Sequence, residues 1–345
     1  MTWSHNFDSH IRLDGSSRIS REDAERQART AKEILRRYSG SPGQILADEV
    51  GMGKTFVALA VAASVALHDK RPVVIMVPPA VLEKWQRDLS VFVENCLDVS
   101  ISKKISSGVA NNGVEFLKYL DDHEGRRKQI IFLAHGALSR NLSDAWVKLA
   151  ILQRAMKYRK NATAEYRSMS RYAGDLLWMK YYAKNHKDLW EKLLNRHPSK
   201  WMNTINRTFK DDETRKLNDD PVPHHIMEAL DSPDLKPLFD NLWEEIKRLP
   251  KRKSSKLNSR INKIRSEIQK ILPKIWQFCF LQTNIQMPLL ILDEAHHLKN
   301  SRTRLASMFH SPEAEGDANA ISKGGQLAGV FERMLFLTAT PFQLG

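Results

Sequence analysis

Five short apolar runs punctuate the chain, at Gln44–Ala47, Val73–Val77, Ile130–Ala134, Leu289–Leu292 and Leu335–Thr338. They are continuous rather than alternating, the pattern of strands buried on both faces. Helix-like stretches separate them, so the predicted fold class is α/β, a largely parallel sheet covered on both sides. Sheets of this kind bind ligands in the loops beyond the carboxyl ends of their strands. The longest apolar run, Phe56 to Leu67, is too short to cross a bilayer and reads as a buried helix.

Between Leu142 and Gln286 the pattern changes. Segments such as LWEKLLNRH and INKIRSEIQKIL repeat apolar residues at three- and four-residue steps, which predicts helices. Charge changes there too: 29 Lys and Arg face 17 Asp and Glu, so this stretch holds most of the net charge of +14. Trp146, Trp178, Trp190, Trp201, Trp243 and Trp276 also fall in it. Three readings stay open. The stretch is a solvated helical appendage whose tryptophans form its own core, a nucleic-acid-facing module, or a docking surface for a partner protein. The run KRLPKRKSSK (Lys247 to Lys256), broken by Pro250 and two serines, looks most exposed; Lys251, Arg252 and Lys253 are its candidate phosphate contacts.

Composition narrows the class without naming a chemistry. Hydrophobic content of 42% and charged content of 27% suit a soluble globular protein. The start, MTWSHNFDSH, has no signal pattern, and residues 1–14 read as a short N-terminal segment. Cys96 and Cys279 sit in apolar contexts and cannot build a disulfide framework or a zinc site, so a cytoplasmic setting is expected.

Two strand ends carry the candidate chemistry. In ILADEVGMGKT (Ile45 to Thr55), Gly51 and Gly53 let the backbone fold tightly, so that its N–H groups, with that of Met52, surround phosphate oxygens. Lys54 adds a positive charge, and a helix begun at Thr55 points its positive dipole end at the anion. In LLILDEAHHLKN (Leu289 to Asn300), Asp293 and Glu294 follow four apolar residues. There a carboxylate can hold Mg²⁺, with Thr55 as the second metal ligand, and the other can orient a water. Lys54, Asp293 and Glu294 are thus the candidate catalytic residues of an ATP hydrolase using ATP and Mg²⁺. The two segments lie about 240 residues apart, and the pair points to a nucleotide site far more strongly than either alone.

The phosphate loop departs from G-x-x-x-x-G-K-[ST] at Asp48. Its D-E-x-G-x-G-K-T form resembles the Swi/Snf branch of superfamily 2 helicases and translocases, bacterial type. Three more segments resemble that family in the same order. Val73 to Leu89 is similar to motif Ia, with Trp85 in the usual place; Gln129 to Arg140 to motif Ib; and Leu335 to Gln343 to motif III. The tail Leu298-Lys299-Asn300 after DEAH is that of the Swi/Snf branch rather than of RNA-type DEAH helicases. Gln27, 27 residues before Lys54, is the candidate adenine-reading glutamine of the Q-motif. The resemblance implies that His296, Thr338 and Thr340 couple the nucleotide site to the rest of the motor.

It also implies a single RecA-like P-loop lobe, residues about 15–141 plus 287–345, interrupted by the basic helical insertion at 142–286. Such a lobe belongs to an ATP-dependent double-stranded DNA translocase, and a second RecA-like lobe, in the same protein or a separate chain, supplies an arginine finger. Because the chain stops just after motif III, it is expected to be incomplete as a motor and weak or inactive in isolation. A nucleotide-binding, non-hydrolysing regulatory or docking subunit is the alternative, and a fragment of an RNA-type DEAH helicase a third.

Overall fold

The structure is a computed structural model that describes residues 3–15, 19–48, 52–121, 127–138, 144–186, 188–252, 254–281, 285–298, 327 and 329–339. The chain divides into two compact units, Met1–Arg140 with Asn284–Gly345, and Asn141–Thr283.

The first unit is built on six parallel strands: β1 (Gly43–Ala47), β2 (Val73–Val77), β3 (Ser107–Ala110), β4 (Ile130–Ala134), β5 (Met287–Leu292) and β6 (Phe331–Thr338). Their order across the sheet is β1-β6-β5-β2-β4-β3. Every residue of β2 and β5 is buried, as expected for strands covered on both faces. β3, SGVA, holds an edge beside β4. No apolar run marks it in the sequence, because small residues suffice at an edge.

Five helices accompany the sheet: α1 (Arg21–Arg37), α2 (Lys54–Ala66), α3 (Leu82–Cys96), the short α4 (Val99–Ser102) and α5 (Gly113–Asp121). α1 is amphipathic; Ser20 caps it by accepting from the Asp23 N–H, and Ala24, Gln27, Ala31, Ile34 and Leu35 form its inner face. α2 has no polar face, and residues 57–66 are all buried. It packs between the sheet and α1, which accounts for a helix without a polar face; no described helix is long and apolar enough to cross a membrane.

Residues 3–15 are ordered against this unit. Trp3 donates to the Leu35 carbonyl at 3.0 Å, and Ile11 bridges Leu97. The Asp8 carboxylate sits between His10 (2.9 Å) and His68 (2.7 Å). Burial alone would raise the Asp8 pKa, but these hydrogen bonds outweigh it and hold the group below its ordinary value.

The second unit is all-helical: α6 (Ala145–Met156), α7 (Thr163–Leu176), α8 (Leu189–Leu194), α9 (Trp201–Thr208), α10 (His224–Leu230), α11 (Lys236–Lys247) and α12 (Leu257–Leu281). Its core includes Trp190, Trp201, Phe209 and Trp276. Trp201 is fully buried and donates to the Leu193 carbonyl at 2.9 Å. Trp146 meets Tyr182 edge-on at 5.2 Å, and Trp243 lies under the Arg159 guanidinium.

Candidate nucleotide site

β1, β6 and β5 are neighbours and parallel, so their carboxyl ends finish at one edge of the sheet. Ala47, the last residue of β1, pairs with Thr338 of β6, and Leu292, the last of β5, pairs with Phe336. Thr338 is buried at that edge. Directly beyond β1 comes the glycine-bearing loop, and directly beyond β5 come Asp293 and Glu294.

The loop closes at Gly53, which caps α2 with φ 83° and ψ 20°. Side-chain-bearing residues rarely adopt this left-handed conformation. A Cβ there would also lie 2.1 Å from Gln27 Nε2 and 2.8 Å from its Cδ. The Gln27 amide of α1 is therefore laid against the loop. Gln27 is buried, and its Oε1 has no hydrogen-bond partner among the described residues. A buried bare carbonyl beside a phosphate-loop glycine costs free energy unless something donates to it.

α2 begins at Lys54, one residue before the helix start expected from the sequence. The Lys54 ammonium donates to the Asp48 carbonyl at 2.5 Å. Arg26, next to Gln27 on α1, steadies the same loop by donating to the Asp48 carboxylate at 3.4 Å and to the Met52 carbonyl at 3.1 Å. Thr55 follows on the first turn of α2, half-buried. Gly51 lies outside the described residues.

Opposite, Asp293 is held by three hydrogen bonds, one from the Glu294 N–H to its Oδ1 at 2.9 Å. The Asp293 N–H donates to the Met76 carbonyl at 2.9 Å, continuing the β2–β5 pairing. Its Oδ2 accepts the Trp85 indole N–H at 2.9 Å. Trp85 lies on α3 and is 2% exposed. Trp85 is packed into the core, and its hydrogen bond to a strand-end carboxylate is what the sequence does not show. The indole carries no local sign of its acceptor, 208 residues downstream. Glu294 has φ 52°, an uncommon value for a residue with a side chain. Its Oε2 lies 3.0 Å from His296 Nδ1, on the single turn Ala295–Leu298. Thr340 lies outside the described residues.

Of the candidate phosphate contacts in the second unit, Lys251 and Arg252 are exposed, and Lys253 lies outside the described residues. The upstream part of the same run is partly neutralised, since Lys247 pairs with Glu244 and Arg248 with Glu245.

Residues 26–134 match the SNF2-related domain. This segment is a SNF2-related domain. It runs from α1 to the end of β4 and so includes Gln27, Gly53, Lys54 and Trp85, and it stops where the chain leaves the sheet for the second unit. Asp293 and Glu294 lie beyond the match, just past β5, which with β6 completes the same sheet. No curated protein matches the chain. A SNF2-related domain implies an ATPase that uses ATP with Mg²⁺, and the family generally acts on DNA. The six-stranded all-parallel sheet is consistent with a RecA-like lobe.

Proposed function

We propose that the chain is the ATP-binding lobe of a motor that couples ATP hydrolysis to movement on double-stranded DNA, acting with a second RecA-like lobe. One observation carries the reading. The loop that ends at Gly53 and the Asp293–Glu294 pair stand at the same edge of one parallel sheet, with only β6 between their strands.

The donor set fits ATP and Mg²⁺. A bare Cα at Gly53 lets the loop and the Gln27 amide lie against each other, Thr55 and Asp293 offer hard oxygen donors, and Gln27 presents an unsatisfied amide oxygen. In this reading Lys54 contacts the β- and γ-phosphates, helped by the N–H groups of Gly51, Met52 and Gly53 and by the start of α2. Thr55 and Asp293 hold Mg²⁺, which when bound offsets charge on the phosphate oxygens. Gln27 accepts from the exocyclic amine of adenine, the partner its orphaned oxygen lacks. Glu294 orients the attacking water; its backbone is left-handed, a kind of strain found at functional sites. His296, against Glu294, together with Thr338 and Thr340, relays the state of the nucleotide.

Steady-state ATP turnover with and without duplex DNA tests the reading. Glu294→Gln is expected to bind Mg·ATP normally and lose hydrolysis. Hydrolysis at the wild-type rate in that variant would remove Glu294 from the mechanism, and ATP binding without any turnover in the presence of duplex and a partner lobe would favour the non-hydrolysing regulatory alternative.

A further inference from the structure

The tryptophans of the second unit divide unequally. Trp190, Trp201 and Trp276 are buried, and Trp146 and Trp243 are partly covered. Trp178 is 78% exposed and has φ 60°, a left-handed conformation that costs energy for a residue with a Cβ. Its ring is nevertheless held. The Arg265 guanidinium lies 3.9 Å from the ring centroid, and Arg265 is itself fixed by donating to the carbonyls of Leu176 (3.0 Å) and Asp175 (2.7 Å). One face of the indole is thus backed by a cation, and the residue as a whole stays open to solvent. Tyr181, three residues on, is 79% exposed.

The same loop borders a cavity of about 580 Å³ between α7 and α8, lined by Arg167, Arg171, Lys180 and Trp190. Trp190 is 5% exposed and lines this space, with its indole nitrogen close to Gly174. Gly174 permits the arrangement, since a Cβ there would lie 3.1 Å from the Lys180 backbone. Arg171 donates to the Lys251 carbonyl, which brings exposed Lys251 and Arg252 beside the cavity. Against these cations the cavity has, among the described residues that line it, the acids Asp175, 3.5 Å from Lys180, and Glu191.

We propose that this groove binds a single nucleic-acid strand. Arg167, Arg171 and Lys180 take backbone phosphates, the Trp190 N–H adds a donor, and bases stack on Trp178 and Tyr181. A duplex would satisfy the cations but hides its base faces in its own stack, leaving the exposed rings without a role. The inference rests on the reading of the chain as a DNA-directed motor, yet it places the strand in the inserted unit, apart from the nucleotide loop.

Fluorescence anisotropy of a labelled oligothymidylate of roughly 12 nucleotides, within the site sizes of such grooves, tests it on the full chain without ATP. Trp178→Ala is expected to weaken binding about tenfold, and Trp178→Phe to keep most of it, because stacking on one base tolerates any aromatic ring. The double variant Arg167→Gln/Lys180→Gln should flatten the slope of log K against log salt by about 1.4, roughly 0.7 for each lost phosphate on a single strand. Lys54→Ala should bind the strand like wild type while losing Mg·ATP, so failure of the motor reading and failure of the groove show in different measurements. Wild-type affinity and salt slope in both the Trp178→Ala and the double variant would overturn the proposal. So would a wild-type chain that binds duplex but not the strand.

Discussion

Trp85 shows how much one side chain can do at this site. Its ring fills the space between α3 and the sheet, and its N–H fixes one oxygen of Asp293. A hydrogen bond to a charged group contributes roughly 1.5–3 kcal/mol, and loss of a partner that orients a metal ligand typically costs about 10–100-fold in metal affinity or activity. Trp85→Phe keeps most of the packing and removes the donor. It should therefore fold with a small drop in melting temperature while Mg²⁺-dependent turnover falls by at least about tenfold. Turnover equal to wild type would reduce Trp85 to a packing residue. Gly53 is the other residue where geometry leaves no latitude. Gly53→Ala meets both a positive φ and the Gln27 amide, so nucleotide binding measured by fluorescence of an ATP analogue should be lost. Retained binding would mean that the loop and Gln27 move apart easily. Gln27 itself is a plain residue in the sequence, one glutamine on an amphipathic helix. Only the structure sets it against Gly53 with its oxygen unsatisfied.

At the scale of elements, the strands buried on both faces were legible because nothing but apolar residues can occupy them. β2 and β4 coincide with their apolar runs, and β5 and β6 begin earlier than theirs, at Met287 and Phe331. β3 escaped notice since an edge strand needs no apolar face, and Ser107, Gly108 and Ala110 give no periodic signal. The six tryptophans of the second unit are alike in composition. Burial separates Trp178 from the rest, and burial depends on which helices meet, which periodicity does not specify. The N-terminal segment was equally silent, for its anchors are single polar contacts: Trp3 to the Leu35 carbonyl, His5 to Asp69, and Asp8 to His10 and His68. Those contacts predict a pH dependence. Asp8 and Asp69 are both held below their ordinary pKa, burial being outweighed by hydrogen bonds from the histidines and, for Asp69, from Arg71. A carboxylate lowered on folding contributes stability above its unfolded pKa of about 3.9, and that contribution disappears as pH falls through the folded value. Hydrogen exchange of residues 3–15 should therefore be slow at neutral pH, and its protection should fall below about pH 4. Asp8→Asn should lose part of that protection at neutral pH already. Protection unchanged through the acid range would contradict this role.

For the whole molecule, the sheet strands before and after the helical unit belong together. β2 lies between β4 and β5, so the chain leaves the sheet after one neighbour of β2 and returns as the other. Replacing residues 141–283 with a flexible linker of roughly a dozen residues, the least that a parallel crossover needs, should keep Mg·ATP binding within about threefold of wild type and remove the strand-binding groove. Loss of ATP binding in a variant that still unfolds cooperatively would show that the helical unit supports the nucleotide site. The loop-to-carboxylate pairing itself is tested most directly by calorimetric titration of Mg·ATP into the full chain and into Lys54→Ala. The wild-type chain should bind with a single site, and the variant should show no measurable heat of binding, because in the proposed reading Lys54, at the start of α2, is the side-chain cation for the phosphates. Unchanged affinity in the Lys54 variant would contradict the account.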